Sequence, residues 1–221
     1  MPNRLLPAMI DRRAMLAGAA VLSLSGCGGN LLGLGPGEPP QLYIFKPVLP
    51  APTNPSGAPV SWALAVAIPD AVADLDSDRL ALTRTGTTMD YYANASWPDR
   101  LPLLVQSALI AAFQDSGRMP AVGREQDALR ADYVLITDIR DFAAHYSDPN
   151  GAPTVGVEIM AQMATAHGRK VVASLKATQT APASANSVDA AVEAYDTAFG
   201  AALAQIVAWA LALPPPPATA P

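Results

Sequence analysis

The chain has 221 residues, a net charge of −5 and a single cysteine, which excludes a disulfide within the chain. A length of this order fits one domain with its own buried core. The mildly acidic balance, without a cluster of basic residues, argues against nucleic acid as a partner and against purely electrostatic attachment to anionic lipid.

The chain begins with the pattern of an export signal. Three arginines within the first 13 residues precede an uncharged apolar segment at 14–24. As a helix this segment would rise only about 16 Å, roughly half of the hydrocarbon thickness of a bilayer. Residues 1–26 are therefore predicted to be a signal peptide rather than a membrane span. The stretch DRRAML at 11–16 is similar to a twin-arginine export motif, so the general secretory route and the twin-arginine route both stay open.

The single cysteine, Cys27, follows directly in the sequence Leu-Ser-Gly-Cys, which resembles the lipobox of bacterial lipoproteins. The resemblance implies cleavage after Gly26 and covalent lipid on Cys27, with fatty acids such as palmitate as the anchor. Several acyl chains hold a protein stably on a membrane, whereas one chain anchors only marginally. Gly28, in place of an aspartate, implies sorting to the outer membrane. Removing residues 1–26 takes away three arginines and one aspartate, so the net charge changes from −5 to −7.

Proline-rich segments flank the middle of the chain. Residues 27–60 are predicted to form a lipidated N-terminus and a Pro/Gly-rich tether, interrupted by a short strand near 42–46. Residues 214–221 are predicted to be a disordered proline-rich tail. The intervening residues, 61–213, are predicted to be the folded domain.

The first part of this domain has the alternation typical of strands. In residues 61–69 larger apolar side chains alternate with alanine, which predicts a buried strand. Its inward face is predicted to carry Trp62, Leu64, Val66 and Ile68. Further short strands are predicted at 79–86 and 88–97.

Helical periodicity then follows. Asp99 is a candidate cap, Pro102 is tolerated in the first turn, and the apolar stripe that follows predicts a helix ending near Gly117. A second, longer helix is predicted to begin after Asn186 or Ser187. Its apolar stripe is Val188, Val192, Tyr195, Phe199, Leu203, Ile206 and Ala210.

Between the two helices the sequence predicts strands at 131–139, 154–165 and 171–181, with a turn at 167–170. The complete pattern favours an α+β domain, in which a mostly antiparallel sheet carries two long helices packed on one face.

No motif in the chain indicates catalysis or a cofactor. His145 and His167 are predicted to be lone surface histidines, and with an acylated cysteine they cannot form a typical zinc site. The aspartates of DLDSDR (74–79) are predicted to form a solvated turn in which one of them pairs with Arg79. The protein is therefore predicted not to be an enzyme, with no metal and no cofactor beyond the lipid on Cys27.

Three aromatic residues stand close together at Tyr91, Tyr92 and Trp97. Such a group packs in the core or at a helix entry in most proteins, and alternatively it faces a partner. We name these residues as the candidate partner interface.

The order of several residues in 67–117 and 175–211 carries a family resemblance. These are Pro69, Leu75, Asp76, Arg79, Leu80, Tyr92, Ala93, Trp97, Leu101 and Pro102, then Tyr195, Phe199 and Trp209. The pattern resembles the auxiliary lipoproteins of ABC transporters that move lipids with MCE-type periplasmic subunits.

The resemblance implies a non-catalytic outer-membrane lipoprotein that docks an MCE-type periplasmic protein and, through it, an ABC permease and ATPase. The alternative is a lipoprotein of envelope or outer-membrane assembly, or a chaperone, unrelated to ABC transport. In both cases the lipid anchor provides the membrane contact, and homo-oligomerisation stays open.

Overall fold

A computed structural model describes residues 39–50, 57–85, 88–127 and 130–216 of the chain. The predicted signal peptide with Gly26, the lipid-attachment residue Cys27 and most of the predicted tether lie outside the described residues. The predicted tail is described only as far as residue 216.

The described residues contain nine strands, two α-helices and one 3-10 turn. In chain order these are β1 (Gln41–Leu42), β2 (Leu64–Val66), β3 (Asp70–Ala71), β4 (Arg79–Thr85), β5 (Thr88–Ser96), α1 (Leu101–Asp115), β6 (Val122–Arg124), a 3-10 helix (Glu125–Asp127), β7 (Tyr133–His145), β8 (Thr154–Thr165), β9 (Val171–Pro182) and α2 (Val188–Leu211).

The nine strands form one sheet organised around β7. On one edge of β7, the strands β8 and β9 continue the sheet as antiparallel hairpins. On its other edge, β2, β3 and β4 follow one another along β7, and all three run parallel to it. The sheet then forks, because β6 adds to β2 in parallel whereas β5 adds to β4 in antiparallel and β1 to β5 in parallel.

The sheet is therefore mixed, and the prediction of a mostly antiparallel sheet is wrong. Hairpins between neighbouring segments give antiparallel pairs, and these are the pairs that local alternation indicates. The chain reaches β6 and β7 only after it has passed through α1, and a crossover through a helix returns the next strand in parallel orientation.

The alternation of β7 changes phase once along its length. Leu135 and Ile139 face the core in the first half of the strand, and Phe142 and Ala144 do so in the second half. The pairing with β8 is irregular between Ile139 and Asp141, which places a bulge at Arg140. A bulge of one residue shifts the phase by one, so both halves keep apolar side chains inside.

The two helices contact each other and cover the sheet: α1 packs on β2 and β6, and α2 packs on β7, β8 and β9.

In α1 the prediction of Pro102 in the first turn is confirmed, and Gly117, at φ +62°, follows the helix end. Asp99 does not cap α1; its carboxylate accepts the N–H of Arg100 at 2.7 Å, and Arg100 is the N-cap residue.

The prediction for α2 is confirmed. Ser187 is its N-cap, and the Ser187 hydroxyl accepts the N–H of Ala190 at 3.3 Å. All the predicted stripe residues from Val192 to Ala210 are buried, and Val188 is half-buried.

The strand predicted at 61–69 is shorter than expected. β2 ends at Val66, and Ile68 is about half exposed rather than inward-facing. Trp62, Leu64 and Val66 are buried as predicted, and so are the intervening alanines. A central strand covered on both faces loses the difference between its inner and outer side chains.

Candidate partner-binding site

The segment before the main domain, residues 41–49, lies along α2, and we call it the arm. The Tyr43 hydroxyl donates to the Asp189 carboxylate at 3.0 Å. The Lys46 N–H donates to the Asp196 carboxylate at 2.9 Å, and the Val48 N–H donates to the Asp196 carbonyl at 3.0 Å. Burial raises the pKa of Asp196, although the Lys46 N–H acts in the opposite direction. The arm is therefore fixed at two aspartates on one helix.

The Phe45 ring anchors the arm in the core. Its centroid lies 5.1 Å from that of Trp97, 5.8 Å from that of Phe142 and 5.0 Å from that of Phe199. Aromatic pairs at such separations stabilise a core beyond the area they bury. The arm thus contributes a member to the main aromatic cluster, although the sequence predicts only a short strand in a tether there.

The arm exposes four large apolar side chains to the outside. Leu42, Ile44, Val48 and Leu49 are between 40% and 66% exposed. Tyr43 and Phe45, between them in sequence, point toward the domain, as the alternation of an extended segment requires.

Tyr92 belongs to a hydrogen-bonded chain of three side chains. The Tyr146 hydroxyl donates to the Asn186 side-chain oxygen at 3.1 Å, so its oxygen accepts from the Tyr92 hydroxyl at 2.9 Å. Burial raises the pKa of Tyr92, so its hydroxyl stays protonated and can donate to Tyr146. This series of hydrogen bonds joins β5 to Asn186, the residue that precedes the N-cap of α2.

Tyr91, on the opposite face of β5, is half-buried and held on two sides. The Arg79 guanidinium lies 3.8 Å from the centroid of the Tyr91 ring, and the Tyr91 hydroxyl donates to the Asp74 carbonyl at 3.0 Å. The predicted pairing of Arg79 with an aspartate of the 74–79 turn is wrong. Among the described residues no ion pair joins Arg79 to an aspartate of this turn, and Asp76 pairs with Arg100. Arg79 is left to stack on Tyr91.

Trp97 is only 2% exposed and packs edge-on against Phe45 and Tyr195. This member of the predicted interface is a core residue, which matches the packing alternative for the aromatic group. Tyr91 and Tyr92 remain half-buried residues with a surface side. Met89 shares a face of β5 with Tyr91 and is 38% exposed.

His145 is not the lone surface histidine that the sequence predicts. Its Nε2 lies 2.8 Å from the Asp141 carboxylate, and its Nδ1 lies 2.8 Å from the Thr83 hydroxyl. The hydrogen bond to Asp141 raises the pKa of His145, although partial burial opposes this. His145 therefore links β4 to β7 through polar contacts.

Small residues make the Asp141–His145 contact sterically accessible. Residues four apart in a strand are separated by about 13 Å, and they point to the same face. Ala143 lies between the two, and its partner across the ladder is Gly156. A Cβ on Gly156 would come within 2.3 Å of the Asp141 carboxylate and 2.8 Å of His145 Nε2.

A second ion pair lies beside the Asp141–His145 contact, on the next two strands of the sheet. Asp141 is the register partner of Glu158 on β8, and the Glu158 carboxylate lies 2.8 Å from Lys176 Nζ on β9. Two neighbouring carboxylates thus each have a basic partner.

Thr83, His145 and Asp141 place a hydroxyl, an imidazole and a carboxylate in series, which are the residue types of a hydrolytic triad. Hydrolysis at these three residues is therefore the alternative function that an activity assay has to test.

His167 lies in the turn between β8 and β9, as predicted. It borders an open cavity of about 530 Å³ at the opposite end of β7 from His145. The cavity wall includes Arg169, which pairs with Glu125, and Asp132, which accepts the Ala63 N–H at 2.8 Å. These charged groups already have partners within the protein.

Residues 43–207 match the sequence model of the family described as the ABC-type transport auxiliary lipoprotein component. This match covers well over half of the chain and runs from the arm into α2. The chain belongs to this family. Membership places it among the auxiliary lipoproteins of ABC-type transport.

Two further proteins are similar to this chain. An uncharacterized protein of Bradyrhizobium diazoefficiens is 31% identical over 185 residues, which cover 82% of this chain but 49% of that protein. The chain thus spans about half the length of this relative. The crystal structure of protein XCC0632 from Xanthomonas campestris, assigned there to the family DUF330, is 29% identical with a TM-score of 0.69, over 76% of this chain and 94% of that one.

A crystal structure of another uncharacterized protein shares the fold alone, with 14% identity and a TM-score of 0.55 over 79% of this chain and 97% of the other. Within the described ranges of the auxiliary lipoprotein, neither helix is long and apolar enough to cross a membrane. The same ranges contain no group of three His, Cys, Asp or Glu side chains placed to hold a metal ion.

Proposed function

We propose that this protein is a non-catalytic adaptor. Anchored in the outer membrane by lipid on Cys27, it docks the MCE-type periplasmic subunit of an ABC lipid transport system. The observation that carries the proposal is the extent of the family match, from Tyr43 in the arm to Val207 in α2. What the family shares is therefore the whole packed unit of arm, sheet and helices.

The docking surface we propose is the face of β5 that carries Met89 and Tyr91. Tyrosine supplies a large, amphipathic contact area at low entropic cost and is enriched at interfaces. Arg79 and the Asp74 carbonyl already fix the Tyr91 ring, so little side-chain freedom is lost on binding. Tyr92, held by Tyr146, supports this strand from its other face.

The test is co-purification of the full chain, with its anchor, from detergent-solubilised membranes. The bait is an MCE-type protein encoded near this gene. Met89→Arg places a charge on an exposed position and should weaken capture by roughly ten-fold or more, as expected for a change at the centre of an interface. Val172→Arg is the matched control, because Val172 is exposed to a similar extent but lies at the start of β9. It should leave capture unchanged.

Equal capture of the two variants would remove β5 as the docking surface. Failure of the unaltered chain to capture any MCE-type protein, with no ABC permease or ATPase gene nearby, would favour the alternative, a lipoprotein of envelope assembly or a chaperone. Hydrolase activity in the purified chain that is lost in both Thr83→Val and His145→Ala would overturn the non-catalytic assignment.

A further inference from the structure

The arm carries an unusual concentration of exposed apolar side chains. Leu42, Ile44, Val48 and Leu49 form a row along one short segment, and the first three are each more than 60% exposed. Single exposed apolar residues are ordinary on protein surfaces, but several of them close together in one short segment mark a contact site. We call these four residues the apolar row.

The apolar row has a fixed position on the domain. Tyr43 and Lys46 are bonded to Asp189 and Asp196 of α2, and Phe45 is packed in the aromatic cluster. At Gly200 the backbone of the arm comes so close to the helix that a Cβ would lie 1.9 Å from the Val48 carbonyl oxygen. A partner that binds the row therefore also orients the domain.

We propose that the apolar row lies on the surface of the membrane that holds Cys27, and that it orients the domain there. This inference rests on the lipid anchor of the proposed function. Cys27 precedes the start of β1 by 14 residues, and even fully extended they span at most about 50 Å. The lipid anchor thus keeps a large apolar surface, that of the membrane, within reach of the row.

The charge of the arm is compatible with a membrane surface as its partner. Between Cys27 and residue 50 the chain carries two side chains that are charged at neutral pH, Glu38 and Lys46. Lys46 is exposed within the segment of the apolar row, where an ammonium group can meet lipid phosphates while its stem lies on apolar surface. Interfacial segments combine such a basic group with apolar side chains that enter the boundary of headgroups and acyl chains by about 5–10 Å.

The experiment uses the full acylated chain reconstituted in vesicles of phosphatidylethanolamine and phosphatidylglycerol. Acylation occupies the only native thiol, so a single introduced cysteine can be labelled with an environment-sensitive fluorophore. Ile44→Cys reports on the apolar row, and Val172→Cys, at a less exposed position on β9, is the control. Mass spectrometry of the N-terminal peptide verifies acylation of Cys27 before labelling.

We expect the Ile44 label to shift its emission to the blue and to be quenched by aqueous iodide at least about three-fold more slowly than the Val172 label, as for a group within the interface. Protection should persist when vesicles outnumber protein molecules. Equal quenching of the two labels would overturn the proposal, and so would protection that disappears on dilution, since this identifies a second copy of the chain as the occupant.

The outcomes also separate this proposal from the docking proposal. The vesicles contain no MCE-type protein, so equal quenching would leave docking at β5 intact. An unmodified Cys27 thiol would overturn both the anchor and the membrane contact.

Discussion

Gly200 of α2 lies directly against the backbone of Val48 in the arm. A Cβ at position 200 would come within 1.9 Å of the Val48 carbonyl oxygen and 2.9 Å of its nitrogen. Backbone atoms cannot rotate away from a clash as the end of a flexible side chain can. The arm can therefore lie along α2 only because position 200 has no Cβ. The Phe45 ring depends on this contact, because it enters the core from the same segment.

Gly200→Ala should therefore loosen the arm. Alanine favours a helix over glycine by about 1 kcal/mol, but the clash displaces the arm and its bonds to Asp196. We expect a net loss of about 1–3 kcal/mol in the free energy of unfolding, as for other overpacked sites. Urea denaturation measures this loss, and chymotrypsin cleavage after Tyr43 or Phe45 should become faster.

Ala201→Gly is the control for this prediction. It costs about 1 kcal/mol through helix propensity alone and leaves the contact at Gly200 in place. Its arm should resist chymotrypsin as the unaltered protein does. Equal protection of the arm in both variants would show that the close approach at Gly200 does not hold it.

The second prediction concerns the aromatic cluster. Phe199 is fully buried, and its ring lies against those of Phe45 and Phe142. Phe199→Ala should lower the free energy of unfolding by about 3–5 kcal/mol, the usual cost of removing a buried aromatic ring. His167→Ala, in the β8–β9 turn, should change it by no more than about 0.5 kcal/mol. Thermal or urea unfolding that ranks the two variants in the opposite order would contradict the core as described.

The parts of the fold that the sequence predicts correctly are those set by local pattern. The stripe of α2, its cap at Ser187 and the hairpin of β8 and β9 follow from periodicity and turn residues within a few positions. The parallel pairs, such as Leu64 with Tyr133, join segments that are far apart in sequence. No local periodicity encodes that pairing, so the mixed sheet could not be predicted.

The candidate site was predictable to a similar extent. The tyrosines of β5 stand out in the sequence as an aromatic group, whereas the burial of Trp97 depends on Phe45, which belongs to a proline-rich segment with the composition of a tether. The contact between Asp141 and His145 spans four strand positions and requires small residues at Ala143 and Gly156. Only the register of β7 with β8 brings these last two residues together.

The pH dependence of stability should reflect His145. Because its pKa in the folded protein is raised above the ordinary value of about 6.5, the protonated ring stabilises the fold. This contribution is fully present below about pH 6.5 and is lost as the pH rises through the folded-state pKa. Asp141→Asn removes the charged partner and should flatten this part of the profile. The measurement is the melting temperature of both proteins between about pH 6 and pH 8, and identical profiles would exclude the pair as the cause.

Gly156→Ala tests the same pair from the opposite strand. Its Cβ would overlap the Asp141 carboxylate and His145 Nε2. These atoms are the ends of side chains and can rotate away, in contrast to the backbone that faces Gly200. The expected cost in unfolding free energy is therefore small, about 1 kcal/mol, at the lower end for overpacked sites.

In the Gly156→Ala variant the hydrogen bond that raises the pKa of His145 should be lost, so this pKa should fall back toward about 6.5. Proton NMR titration of the His145 ring in both proteins resolves the effect. A His145 titration unaltered by the substitution would show that Gly156 does not provide the space for the contact.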